Sequence, residues 1–98
     1  DKAVKDLNAA LGEYESQYPG SETSIYRQNR GAIRVRIVDE RFAGKSKSSR
    51  HNEVWRFLSE RVSEEVMSEV SALLLLQSAE KQTSLANLEF DDPQSSQL

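Results

Sequence analysis

From Ala32 to Val38 the chain alternates strictly, with Ile33, Val35 and Ile37 on one parity and Arg34 and Arg36 on the other. Side chains of a β-strand point to opposite faces with a period of two. This heptapeptide therefore predicts a half-buried strand, its β-branched residues turned into a core and its arginines turned out. Immediately upstream, Asn29-Arg30-Gly31 is a tight-turn signal, and Thr23 to Gln28, with Ile25 and Tyr26, is a short strand candidate. The two segments together predict a β-hairpin.

The flanking sequence has helical spacing. Val4, Leu7, Leu11, Tyr14 and Tyr18 recur at steps of three and four, which places one apolar stripe on a helix, and Pro19-Gly20 ends it. After the hairpin, Asp39 to Arg50 shows no periodicity and contains Lys45-Ser46-Lys47-Ser48. It reads as a mobile basic loop, with Ser49 as the cap of the next helix. Val54, Trp55, Leu58 and Val62 share a face of that helix. A second start follows at Ser63, where Glu64 and Glu65 suit the positive end of a helix and Val62 and Met67 occupy the positions of a hydrophobic staple.

Val70 to Gln77 fits two descriptions. The spacing of Val66, Val70, Leu73 and Leu74 would continue the helix, whereas a short run of four consecutive leucines bounded by polar residues suits a strand buried on both faces. The strand is preferred, because a chain this small has little with which to cover a helix that is apolar all round. The order becomes α-β-β-α-α-β, a two-layer α+β domain with a three-stranded sheet and helices on one face, over residues 1–79. Residues 80–98 turn polar and acidic and are expected to be a flexible tail.

Composition narrows the functions. Ninety-eight residues make one domain, since chains divide only beyond roughly 250–300 residues. The absence of cysteine removes a disulfide framework, thiolate zinc, a thiol nucleophile and any iron–sulfur cluster held on the chain's own sulfurs. The longest apolar run, Ala72 to Leu76, is far short of the ~18 residues of a membrane helix, so no membrane association is expected. No signal-peptide pattern opens the chain, which starts at Asp rather than Met and is expected to be processed or an excerpt of something longer. The expected compartment is the cytoplasm, or an organelle if a targeting segment has been removed.

A net charge of -3 conceals segregation. Between Ser24 and Arg50 eight bases stand against two acids, a balance of +6; the remainder holds five bases and fourteen acids, or −9. Arg34, Arg36, Lys45, Lys47 and Arg50 are the candidate phosphate contacts of a nucleic-acid surface, with Tyr26 as a stacking ring. No GXXG backbone clamp is present to support single-strand RNA binding of the KH type. Nor is there a Ser/His/Asp set, a phosphate-cradling loop or a carboxylate pair in a pocket, and the protein is expected not to be an enzyme.

Arg41-Phe42-Ala43-Gly44, then Arg50-His51 after five spacer residues, then Val54-Trp55, form one fixed-spacing pattern. This stretch, with Ala10-Leu11 and Pro19 upstream, resembles the BolA family, and the resemblance runs from about Val4 to Ala79. It implies a fold similar to the class II KH domain and a non-enzymatic role as an adaptor or regulator. The implied protein partner is a monothiol glutaredoxin and the implied cofactor a shared [2Fe-2S] cluster, with DNA-binding regulation in some bacterial members. On that basis Arg41, Phe42, Gly44 and Trp55 are motif residues, and His51, the only histidine, is the candidate ligand to a cluster whose sulfurs come from the partner. The family's second ligand, a His or Cys between the first two strands, has no counterpart in Gln28-Asn29-Arg30-Gly31. The alternative function is a nucleic-acid-binding module built on residues 24–50. The residues leave the oligomeric state open.

Overall fold

The structure, a computed structural model, describes residues 1–91. The end of the expected tail, from Asp92 on, lies outside the described residues. Helix α1 spans Lys2–Gln17, and its first turn is capped by Asp1, whose carboxylate accepts the Val4 N–H at 3.2 Å. The predicted stripe is its buried face, Leu7, Leu11 and Tyr14 joined by Ala3 and Ala10. It ends before Pro19, and the chain reverses through Gly20 at φ 95.

Strands β1 (Glu22–Asn29) and β2 (Ala32–Val38) form the antiparallel hairpin, pairing Ile25 with Val35 and Tyr26 with Arg34. Gly31 takes the left-handed backbone, φ 76, that the turn requires. Strand β3 (Val70–Leu76) pairs parallel to the other edge of β2, so the order is β1-β2-β3 with β2 central. Ile33, Val35 and Ile37 are fully buried beneath α1 and helix α2 (Lys47–Ser59). Ser63 caps the four-residue helix α3 (Glu64–Met67) as its spacing predicts, accepting the Val66 N–H at 3.2 Å. The domain is α+β, with α1, α2 and α3 on one face of a mixed three-stranded sheet.

Three local expectations differ. Helix α2 starts earlier than Ser49: Ser46 is the cap and its hydroxyl accepts the Ser49 N–H at 3.1 Å. Nor is Asp39–Arg50 an open loop. Asp39 caps a 3-10 turn over Glu40–Phe42, its Oδ1 accepting the Arg41 N–H at 3.0 Å, and its Oδ2 accepts the Tyr14 hydroxyl at 2.6 Å. Burial and that hydrogen bond push the Tyr14 phenol well above its ordinary value. Two caps, together with the long-range contact to Tyr14, thus order the segment.

The third difference is the expected tail. A 3-10 turn over Ser78–Glu80 and helix α4 (Leu85–Asp91) follow β3. Helix α4 lies on the outer face of the sheet, with the Phe90 ring 4.9 Å from that of Tyr26. This cover explains how four leucines fit one strand. Leu73 and Leu75 lie across from Val35 and Ile37 toward the core, while Leu74 lies across from Arg36 on the side that α4 occupies.

Phe42 is fully buried, and Gly44 adopts φ 75 with open space where a Cβ would stand. Phe42→Ala is expected to cost about 3–5 kcal/mol from lost burial and the cavity left behind. Gly44→Ala is expected to cost about 1–2 kcal/mol from backbone strain alone. Urea denaturation of the two variants measures both.

Candidate functional site

Arg50 stands in the first turn and a half of α2 and points inward, only 6% exposed. Its Nη1 donates to the carbonyl of Leu75 at 3.0 Å and to Glu80 Oε1 at 2.8 Å, and its Nε donates to the carbonyl of Lys45 at 3.1 Å. A buried guanidinium requires partners of this kind, because desolvating it without them is strongly unfavourable. One side chain therefore joins three elements: the turn before α2, the end of β3 and the 3-10 turn after it. The carboxylate of Glu80 also accepts the Gln77 N–H at 2.7 Å. Arg50 first, and that backbone N–H second, hold the Glu80 carboxyl below its ordinary range.

His51 follows Arg50 on the helix and points the other way. It is exposed, and its ring stacks on that of Trp55, centroids 5.5 Å apart and planes within 14° of parallel. Trp55 is half-buried rather than a core residue, because a neighbour one turn back covers one of its faces. Beside this pair a groove of about 490 Å³ runs along the outer side of β3, lined by Ser48, His51, Asn52, Leu73, Leu75 and Glu80 among others. Among the described residues no strand pairs with this second edge of β3.

The remaining sequence-selected residues divide between this corner and the sheet. Lys45 is tied to Glu53 at 2.9 Å; Arg41 stacks over the Tyr18 ring at 3.8 Å and lies 3.5 Å from Asp39. Lys47 is exposed on the groove. Arg34 and Arg36 stand across the sheet, under α4, paired with Glu89 at 3.2 Å and Asp91 at 2.5 Å. Tyr26 is there too, against Phe90. The five bases do not converge on one surface, and four of them already hold a carboxylate of this chain.

Glu80, Asn87 and Phe90 lie in a stretch whose polar, acidic composition is that of a tail, yet all three are in contact with the sheet or the α2 corner. A local signal was present: Ser84 precedes Leu85, and its hydroxyl accepts the Asn87 N–H at 3.1 Å, the contact of a helix cap. Among the described residues no three His, Cys, Asp or Glu side chains come together as a metal site, and no helix is long and apolar enough to cross a membrane.

No family model matches the chain, and no curated protein matches it in sequence. Among solved structures, the crystal structure of a bol-like protein from Babesia bovis is similar at 17% identity and a TM-score of 0.39, covering 79% of this chain and 90% of that one.

The Arg50–Glu80 pair fixes a pH dependence. A carboxyl whose value is lowered by folding contributes stability above its ordinary value of 4.5 and loses it as pH falls through the lowered value. Glu80 is partly exposed, so the contribution is below about 1 kcal/mol after screening. Thermal unfolding of wild type and Glu80→Gln from about pH 7 to about pH 3 should show their difference shrinking on acidification, as the wild-type advantage of an ionised Glu80 disappears.

Proposed function

We propose that the protein is a non-enzymatic adaptor of the BolA type, and that it meets a protein partner along the groove between the α2 corner and the free edge of β3. The observation that carries this reading is the groove itself. It combines a strand edge that is unpaired among the described residues, half-buried leucine surface at Leu73 and Leu74 and a rim of polar side chains, the features by which extended segments add to a sheet. The pattern Arg41-Phe42-x-Gly44 with Arg50-His51 supports the family reading. Phe42, Gly44 and Arg50 hold the corner in place, and His51 and Trp55 are what it presents.

In the form implied by the BolA resemblance, the partner is a monothiol glutaredoxin. A shared [2Fe-2S] cluster fits these residues poorly. His51 is the single imidazole and there is no thiol, so a cluster would take every other ligand from elsewhere. The adaptor reading therefore stands on the surface and needs no metal. The nucleic-acid alternative has less support, since Arg34, Arg36, Lys45 and Arg50 are each paired with an acid of the chain.

Titration of isotope-labelled protein with an apo monothiol glutaredoxin, followed by amide NMR, tests the proposal. Shifts are expected at residues 47–52 and 71–76; the absence of shifts, or shifts confined to α1, would overturn it. Adding cluster-loaded glutaredoxin tests the ligand separately. The visible circular dichroism is expected to be the same with wild type and with His51→Ala.

A further inference from the structure

The outer face of the sheet is unusual for a surface that a chain covers with its own helix. Its side chains are Tyr26 from β1, Arg34 and Arg36 from β2, and Ala72 and Leu74 from β3. Helix α4 answers them in kind. Glu89 pairs with Arg34, Asp91 and the Asn87 amide oxygen with Arg36, and the Phe90 ring lies edge-on to Tyr26 and 4.8 Å below the Arg36 guanidinium. The helix thus shows, in one chain, which ligand chemistry this face accepts: an aromatic ring with a carboxylate on either side of it in sequence.

The fit is incomplete in three respects. Among the described residues the buried Nε of Arg34 has no acceptor, although a guanidinium offers Nε and Nη together to a carboxylate in the bidentate geometry. A crevice of about 180 Å³ remains among Arg34, Ala72, Leu74, Ala86 and Phe90. Leu85 and Leu88 face solvent at 81% and 54% exposure, so much of the helix's apolar surface is not used in holding it down. Over its described residues, moreover, α4 buries only Asn87 and Phe90. Its loss would leave the main core intact, because that core lies beneath the opposite face.

We propose that the outer sheet face formed by Tyr26, Arg34, Arg36 and Leu74 is a docking site for an acidic, aromatic helix of a partner protein, and that α4 is the occupant in cis which such a helix displaces. A longer partner helix supplies the second oxygen that Arg34 lacks and fills the crevice beside Leu74. This inference does not rest on the glutaredoxin reading, since α4 lies on the face of the sheet opposite α2. The two sites adjoin: Leu74, Ser84 and Ala86 also line the β3-edge groove, so displacement of α4 removes a wall of it.

The test uses the full chain and a fluorescent peptide with the sequence of residues 81–91, read by anisotropy. Glu89→Arg with Asp91→Arg, both half-exposed positions outside the core, releases α4 by charge repulsion. The released variant is expected to bind the peptide at least about tenfold more tightly than wild type, where the tethered helix competes at millimolar effective concentration. Adding Arg36→Glu to the variant should abolish binding, and a peptide carrying Phe90→Ala should not bind. Equal affinity for wild type and variant, or indifference to Arg36→Glu, overturns the proposal. So does displacement of the peptide by oligo-dT at lower concentration than by unlabelled peptide, which would assign the face to nucleic acid. Hydrogen exchange on wild type gives a second measurement: α4 amides should exchange at least about a hundredfold faster than those of β2, and equal protection would make α4 an ordinary part of the fold.

Discussion

Everything in this fold follows from a central strand whose two faces have opposite chemistry. The aliphatic side of β2 is fully buried, so α1 and α2 must lie across it. The arginine side cannot be covered by a second apolar layer, because desolvating two guanidinium groups requires acceptors. The chain supplies them from its own C-terminal part, Glu89 and Asp91, together with an aromatic ring that stacks on Arg36. Strand β2 therefore dictates a helical layer held by apolar packing on one side and a short acidic helix held by ion pairs on the other.

The same accounting resolves the charge segregation along the sequence. A +6 middle and a −9 remainder are separate in sequence and interleaved in space. Arg27 of the middle pairs with Asp1 and Glu69, Lys45 with Glu53, and Arg50 with Glu80. Two of these ties are long-range, Arg27 to Asp1 and Glu69 and Arg50 to Glu80, and they pin β1 and the start of α2 to distant parts of the chain. A linear charge count sees a nucleic-acid surface, whereas the fold has spent most of that charge on itself.

What the sequence made legible was whatever depends on spacing. The period-two alternation at β2, the three–four stripe of α1, the Asn29-Arg30-Gly31 turn and the Ser63 cap all appear where they were expected, because each is decided by neighbours a few residues away. The leucine run was settled by length and flanking polarity in favour of a strand. What escaped depends on contacts across the chain. The ordering of Asp39–Arg50 needs Tyr14 and Leu76, and Arg50's inward turn needs Glu80, thirty residues on. Helix α4 is short and acidic, so its local signal is weak, and its reason to exist is the pair of arginines on β2. Hence spacing identifies the residues of the corner, whereas the inward turn of Arg50 is decided by a partner far along the chain.

That direction matters for how the Arg-Phe-x-Gly and Arg-His pattern is interpreted. Phe42 is in the core, Gly44 occupies a left-handed turn, and Arg50 is a buried strut whose cation also lies 5.7 Å from the Phe42 ring. Three of the pattern's residues are thus accounted for by geometry: they bring the start of α2 against the end of β3 and keep it there. Of the same set, His51 is the side chain whose placement the fold does not require, since it is exposed, whereas Trp55 packs against the core and carries the His51 ring on one side. In the fold, the pattern specifies a corner. What that corner can touch is set by the exposed His51 ring and by the groove beside it, where Ser48, Asn52 and Leu73 stand along β3.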